Sequence, residues 1–150
     1  MKIVEQGNRR LTVVTNNGTK LVCKPVRQLP LQDLLFKLGL TGRMLRDGSS
    51  EDFQSELSKA STEHQVDTAR HALAVFNYTM AYGIETEPPD AAVEELRAMG
   101  LLTQSPNANK AIWLNYLVLE DSDEAGLLAG VIMALTFRGD DLANLDSMES

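Results

Sequence analysis

The side chains best suited to chemistry are few and scattered. His64 and His71 stand seven residues apart with Asp67 between them, the spacing of one helix face. Imidazole and carboxylate together can bind a metal or move a proton. A zinc ion would want a third and fourth ligand at defined geometry, and the sequence spaces none to supply them. A solvated polar helix face accounts for these three residues better. The run Glu120-Asp121-Ser122-Asp123-Glu124 has the composition of a calcium loop. It lacks the alternating ligands, central glycine and terminal glutamate of an EF-hand. Asp121 followed by Glu124 is instead the pattern of a helix N-cap.

Nucleophiles are no better provided. Gly48-Ser49-Ser50 is not a nucleophile elbow, and Cys23 falls in a predicted strand with no histidine near it in sequence. No glycine loop leads to a lysine that would cradle phosphate. The residues therefore argue for a binding protein with no catalytic activity, cofactor or resident metal.

Composition narrows what such a protein binds. A net charge of −7 opposes association with phosphate backbones, so nucleic acid is not an expected partner and a basic protein surface fits better. The single cysteine and the absence of cysteine–histidine clusters fit a reducing compartment without structural zinc. Met1-Lys2-Ile3-Val4-Glu5 meets charge too early for a signal-peptide core, and no apolar run approaches the ~20 residues that cross a bilayer. A soluble cytoplasmic protein with no membrane partner is the expectation. At 150 residues one domain can bury about 68–70% of the unfolded surface.

The elements that would position a binding surface follow from periodicity. Ile3-Val4, Leu11 to Thr15 and Leu21 to Cys23 read as strands, with a turn at Gly7-Asn8 and a hairpin at Asn17-Gly18 that sets Val14 opposite Leu21 and Val13 opposite Val22. One face of this ribbon must pack on helices, leaving the other for a partner. Pro25 ends the third strand. Pro30, Leu31, Leu34, Leu35 and Leu38 predict a helix stopping at Gly39, residues 42–50 a loop, and Phe53 with Leu57 another helix. Thr62 and Gln65 cap a helix whose buried face is Val66, Ala69, Leu73, Phe76 and Met80, widened by Ala72, Val75 and Tyr82, with Gly83-Ile84 as its C-terminal cap.

Val93, Leu96 and Met99 predict a helix ending at Gly100. A helix capped by Asn107 or Asn109 carries Ile112, Trp113, Tyr116, Leu117 and Leu119. The run Ala125 to Phe137, apolar almost all round, predicts a buried central helix in which Gly126 and Gly130 permit close packing. The fold expected is α+β, mainly α: an N-terminal antiparallel β-hairpin or three-stranded meander (1–26) on a bundle of about five or six helices (29–137), followed by an acidic tail (138–150). Val13 and Val22 on the ribbon, with Trp113, Tyr116 and Leu117 on the aromatic helix, are the expected partner-binding residues.

Two stretches carry a resemblance. LTVVTNNGTKLVCKPVRQLPLQDLL resembles the start of small tail-assembly chaperones of tailed bacteriophages, where a strand, an Asp-Gly or Asn-Gly turn, a strand and Pro-Leu follow in order. YTMAYGIETEPPDAAVEELRAMG, the tryptophan helix and LEDSDEAGLLAGVIMALTF are similar to small proteins of phage tail-gene clusters. Together they cover most of the chain. The resemblance implies a non-enzymatic role in the host cytoplasm: holding the hydrophobic helices of a tail protein, such as the tape-measure protein, until tail-tube subunits polymerise around it. Two alternatives stand beside it. One is a stable virion subunit of the tail or head–tail connector, adding its hairpin to a neighbour's sheet or forming a homo-oligomer. The other is an acidic inhibitor of a host defence protein, with its acids at 85–95, 120–124 and 140–149.

Overall fold

The first strand is longer than its two apolar residues predict, because backbone pairing with the next strand extends it over exposed polar residues. In a computed structural model, which describes residues 1–7, 9–37 and 66–137, β1 (Lys2–Gly7), β2 (Arg10–Val14) and β3 (Lys20–Cys23) form an antiparallel meander in that order. The loop at 42–50, the helix of Phe53 and Leu57, the cap at Thr62 and Gln65, the stop at Gly39, His64 and the acidic tail lie outside the described residues.

The hairpin pairs one position away from the expected register: Val13 faces Leu21 and Thr12 faces Val22. Its loop has three residues, Asn16-Asn17-Gly18. Gly18 N donates to Thr15 O at 2.9 Å, Thr15 N donates to Thr19 O at 2.9 Å, and Gly18 takes the left-handed conformation at φ 90°. A one-residue slip moves every side chain of a strand to the other face. The observed register gathers Leu11, Val13, Leu21 and Cys23 on the inner face, all fully buried. The expected pairing would have divided them between the two faces.

Both edges of the sheet are managed. Along β3, Lys24 N donates to Gly83 O, Glu85 N donates to Val22 O, Val22 N donates to Thr86 Oγ1, and Cys23 bridges Ile84. The β1 edge is interrupted by a bulge at Val4 and carries Lys2 and Glu5, both of which discourage edge-to-edge pairing.

Five helices follow among the described residues: α1 (Gln28–Lys37), α2 (Val66–Tyr82), α3 (Asp90–Ala98), α4 (Pro106–Trp113), which runs into a π-helical turn (Leu114–Val118), and α5 (Ser122–Phe137). The α+β, mainly α architecture is therefore the one expected. As predicted, α5 is central: Leu128, Ala129, Val131, Ile132, Met133 and Leu135 are fully buried, and Gly126 and Gly130 are buried with them. Leu31 and Leu35 of α1 and Leu96 of α3 complete the core. Gly100 ends α3 at φ 73°, with Leu101 N reaching back to Leu96 O in the six-to-one bond of a Schellman cap.

Two expected caps are replaced. Ser105, not Asn107 or Asn109, caps α4: its hydroxyl accepts from Ala108 N, and Pro106 fills the first helical position. Asn109 instead grips the preceding loop, accepting from Thr103 N at 2.7 Å and donating to Thr103 O at 2.9 Å. Gly83 is not a left-handed cap either, since only Gly18 and Gly100 among the described glycines have positive φ. It is required because the chain there crosses α5: a Cβ on Gly83 would stand 2.5 Å from Ile132 Cγ2.

The sheet grips both ends of α5. At its N-terminus, Asp121 Oδ1 accepts from Glu124 N, while the buried Glu124 carboxylate accepts from Glu120 N at 2.9 Å and from Asn16 N, in the hairpin loop, at 2.6 Å. Asn16 Nδ2 adds a bond to Glu120, and Asn17 Nδ2 one to Leu117 O. At its C-terminus, Arg9 donates to Leu135 O, Gln28 donates to Thr136 O, and Val26 N donates to Thr136 Oγ1. The last carbonyls of a helix need such donors.

Cys23 is fully buried, and desolvation pushes its thiol from the ordinary 9.0 up to about 12. The neutral thiol is unreactive, so alkylation of native protein at pH 8 should proceed only through opening and should slow in step with global stability in urea. Because the folded value lies above the unfolded one, this group's contribution to stability is complete below about pH 9 and declines as pH rises towards 12. Rapid stoichiometric labelling at pH 8 in the absence of denaturant would contradict the burial.

Candidate protein-binding groove

The outer face of α2 presents two rows at a spacing of four, Leu73-Asn77-Ala81 and Ala74-Tyr78-Tyr82, which a helix stacks along one side. Opposite them stand Ala108, Ala111 and Ile112 of α4, with Asn115 and Tyr116 of the π-helical turn, and Leu34 of α1 also lines the space. Between these walls runs an open groove of about 770 Å³. Leu73, Tyr82 and Tyr116 are 55%, 49% and 58% exposed there, an unusual grouping of large apolar side chains on one surface. Tyr78 and Tyr82, ring centroids 5.1 Å apart, form an aromatic wall.

Local structure explains the shape. In the π-helical turn Leu119 N reaches Leu114 O at 2.8 Å, one residue further back than an α-helix allows. Leu114 and Val118 are buried in this turn, while Asn115 and Tyr116 face outward. Lys110 sets the position of α4: its buried ammonium donates to Ile84 O at 2.8 Å and pairs with Glu87 at 3.2 Å. A long hydrogen bond of 3.4 Å from Asn115 to Asn77 crosses between the two walls.

The groove is polarised. At the Leu73 end it meets a cleft of about 470 Å³ edged by Glu120, Asp121 and Ser122. At the other end Tyr78 and Tyr82 also wall a cleft of about 590 Å³ that contains Arg10, Lys24 and Arg27. Desolvation raises the Tyr78 phenol above its ordinary pKa, with the nearby Arg27 charge acting in the opposite sense, so Tyr78 is a neutral donor at physiological pH. The central polar groups, Asn77, Tyr78, Asn115 and Tyr116, are neutral hydrogen-bonding groups suited to orienting a bound chain. Among the described residues no three of His, Cys, Asp and Glu converge where they could hold a metal ion.

Of the residues expected to meet a partner, Tyr116 lines the groove, and Val22 and Leu117 are partly exposed elsewhere. Val13 and Trp113 are corrected to core positions, with 0% and 3% exposure. The register shift turns Val13 inward, and the last turn of α4 directs Trp113 into the core. Leu73 and Tyr82, expected on the buried face of α2, are the residues that reasoning from sequence missed as groove residues. The face that actually packs is Ala72, Val75, Phe76, Thr79 and Met80.

No family model matches the chain, and neither the curated proteins nor the solved structures contain a significant match to it. No helix among the described residues is long and apolar enough to cross a membrane.

Proposed function

We propose that this protein is a phage tail-assembly chaperone that works by binding alone, holding an apolar helical segment of a tail protein such as the tape-measure protein in the host cytoplasm. The observation that supports this reading is the convergence of exposed Leu73, Tyr82 and Tyr116 on one groove between two helices, the form of site into which amphipathic helices lay their apolar face. Each is already about half buried, so covering the rest of the three side chains contributes roughly 2–5 kcal/mol before the costs of association. The costs of association offset most of this, so binding through these side chains alone is weak, as suits a holder that must release its client.

The alternative of a virion subunit joined by strand addition has less support, because Gly83 to Thr86 occupy the β3 edge and β1 carries a bulge.

Co-expression with the tape-measure protein should raise that protein's soluble fraction several-fold, and Leu73→Ser/Tyr116→Ser should abolish the gain while leaving the melting temperature within about 3 °C, since both side chains are exposed. An unchanged soluble fraction with the native protein, or stoichiometric copies of this chain in purified virions, would overturn the reading.

A further inference from the structure

We infer that the cleft at the Tyr82 end of the groove is a carboxylate-binding site, and that the helix taken by the groove carries acidic residues at that end. The inference rests on the proposal that the groove takes a helix, and it adds what that helix must look like.

In a chain of net charge −7, Arg10, Lys24 and Arg27 converge on one cleft. Among the described residues no carboxylate pairs with Lys24 or Arg27, whereas Arg10 is engaged by Glu85 at 3.0 Å. Two cations are therefore left to face a ligand. Pro30, Tyr78 and Tyr82 line the cleft beside these cations. The Arg27 guanidinium can take a carboxylate through two parallel bonds, and the Tyr78 hydroxyl is at hand as a neutral donor.

Continuity gives the occupant. Tyr78 and Tyr82 belong both to this cleft and to the apolar groove, and Leu73 belongs both to the groove and to the cleft edged by Glu120 and Asp121. From Leu73 to Tyr82 the rise along α2 is about 14 Å, the length of some two and a half helical turns. The complementary ligand is an amphipathic helix with an apolar face of that length, carboxylates at the Tyr82 end and Lys or Arg at the Leu73 end. Nucleic acid would be repelled at the acidic end, so the charge pattern favours a bipolar peptide.

The test uses the full chain and two fluorescein-labelled synthetic 18-residue helices with the same Leu/Ile face. One carries Glu at one end and Lys at the other; the second has Gln at all those positions. By anisotropy the bipolar peptide should bind about tenfold more tightly at low salt, with most of the advantage lost in 0.5 M NaCl. Lys24→Glu/Arg27→Glu should erase the advantage while leaving affinity for the Gln peptide within about twofold. A peptide whose Glu residues are changed to Lys should regain the advantage on that variant. Equal binding of the first two peptides by the native protein, or no loss in the charge-reversed variant, overturns the carboxylate site and leaves the groove standing. If neither peptide binds, the groove reading itself falls. Tighter binding by a peptide of sequence 138–150 than by the bipolar helix would also overturn the inference, assigning the cleft to this chain's own acidic segment.

Discussion

Glu124→Ala should lower the melting temperature by about 10 °C, corresponding to roughly 3–5 kcal/mol in a chain of this size. Glu124 is 2% exposed, and its carboxylate accepts backbone hydrogens from Glu120 and from Asn16. Each charge-assisted bond contributes about 1.5–3 kcal/mol, and removing the acceptor leaves two donors facing a void. The carboxylate also lies in the first turn of α5, where the helix dipole favours it. Glu124→Gln should be nearly as damaging, because its amide oxygen can serve one donor while its NH2 group meets the other. Asp121→Ala should cost only about 1 kcal/mol, since it removes a single capping bond. A thermal melt of the three variants checks the ranking. Equal shifts for Glu124→Ala and Asp121→Ala would mean that the tie to the hairpin contributes nothing beyond helix capping.

The second large effect is expected at Gly83. An alanine Cβ there would stand 2.5 Å from Ile132 Cγ2, 2.9 Å from its Cδ1 and 2.6 Å from the Thr79 carbonyl oxygen. Side-chain rotation of Ile132 is opposed by its complete burial, and Thr79 O is backbone that accepts from Gly83 N at 2.7 Å. Relief must come from movement of the 83–86 segment, which the Lys24–Gly83 and Glu85–Val22 bonds hold to β3. A cost of about 2–4 kcal/mol follows for Gly83→Ala, measurable by urea unfolding. Ile132→Ala removes two of the three clashes at the expense of a cavity, so the double variant should be less destabilised than the sum of the single ones. Additive losses would show that Ile132 is not the obstacle.

These two positions show which parts of the fold were legible from sequence. Asp121 and Glu124 were visible as a cap because helix capping is local and repeats at a spacing of three. The bond from Glu124 to Asn16 spans 108 positions and leaves no mark in either neighbourhood. Gly83 was recognised as a helix terminator, yet the reason for glycine lay in Ile132, far along the chain. The hairpin was found from Asn-Gly and misregistered by one, because the dipeptide serves two-residue and three-residue loops alike. On α2, apolar residues occupy more than half of the circumference, so periodicity could not decide which edge the neighbours would leave uncovered. That edge carries Leu73, Tyr78 and Tyr82, which is why the groove emerged only in three dimensions. The basic cleft was less visible still, assembled from Arg10 and the connector after β3 on one side and the end of α2 on the other.

The grip of the sheet on both ends of α5 bears on the order of synthesis. Residues 9, 16, 26 and 28 find their helix partners more than a hundred positions later, at 120 to 136. A nascent chain therefore exposes the apolar inner face of its meander until residues 120 to 136 have been made, and pairings of such sequence separation close slowly. A chain arrested before residue 120 carries the strands without the helix that covers them. Such fragments should be cleared by proteolysis rather than accumulate as folded domains.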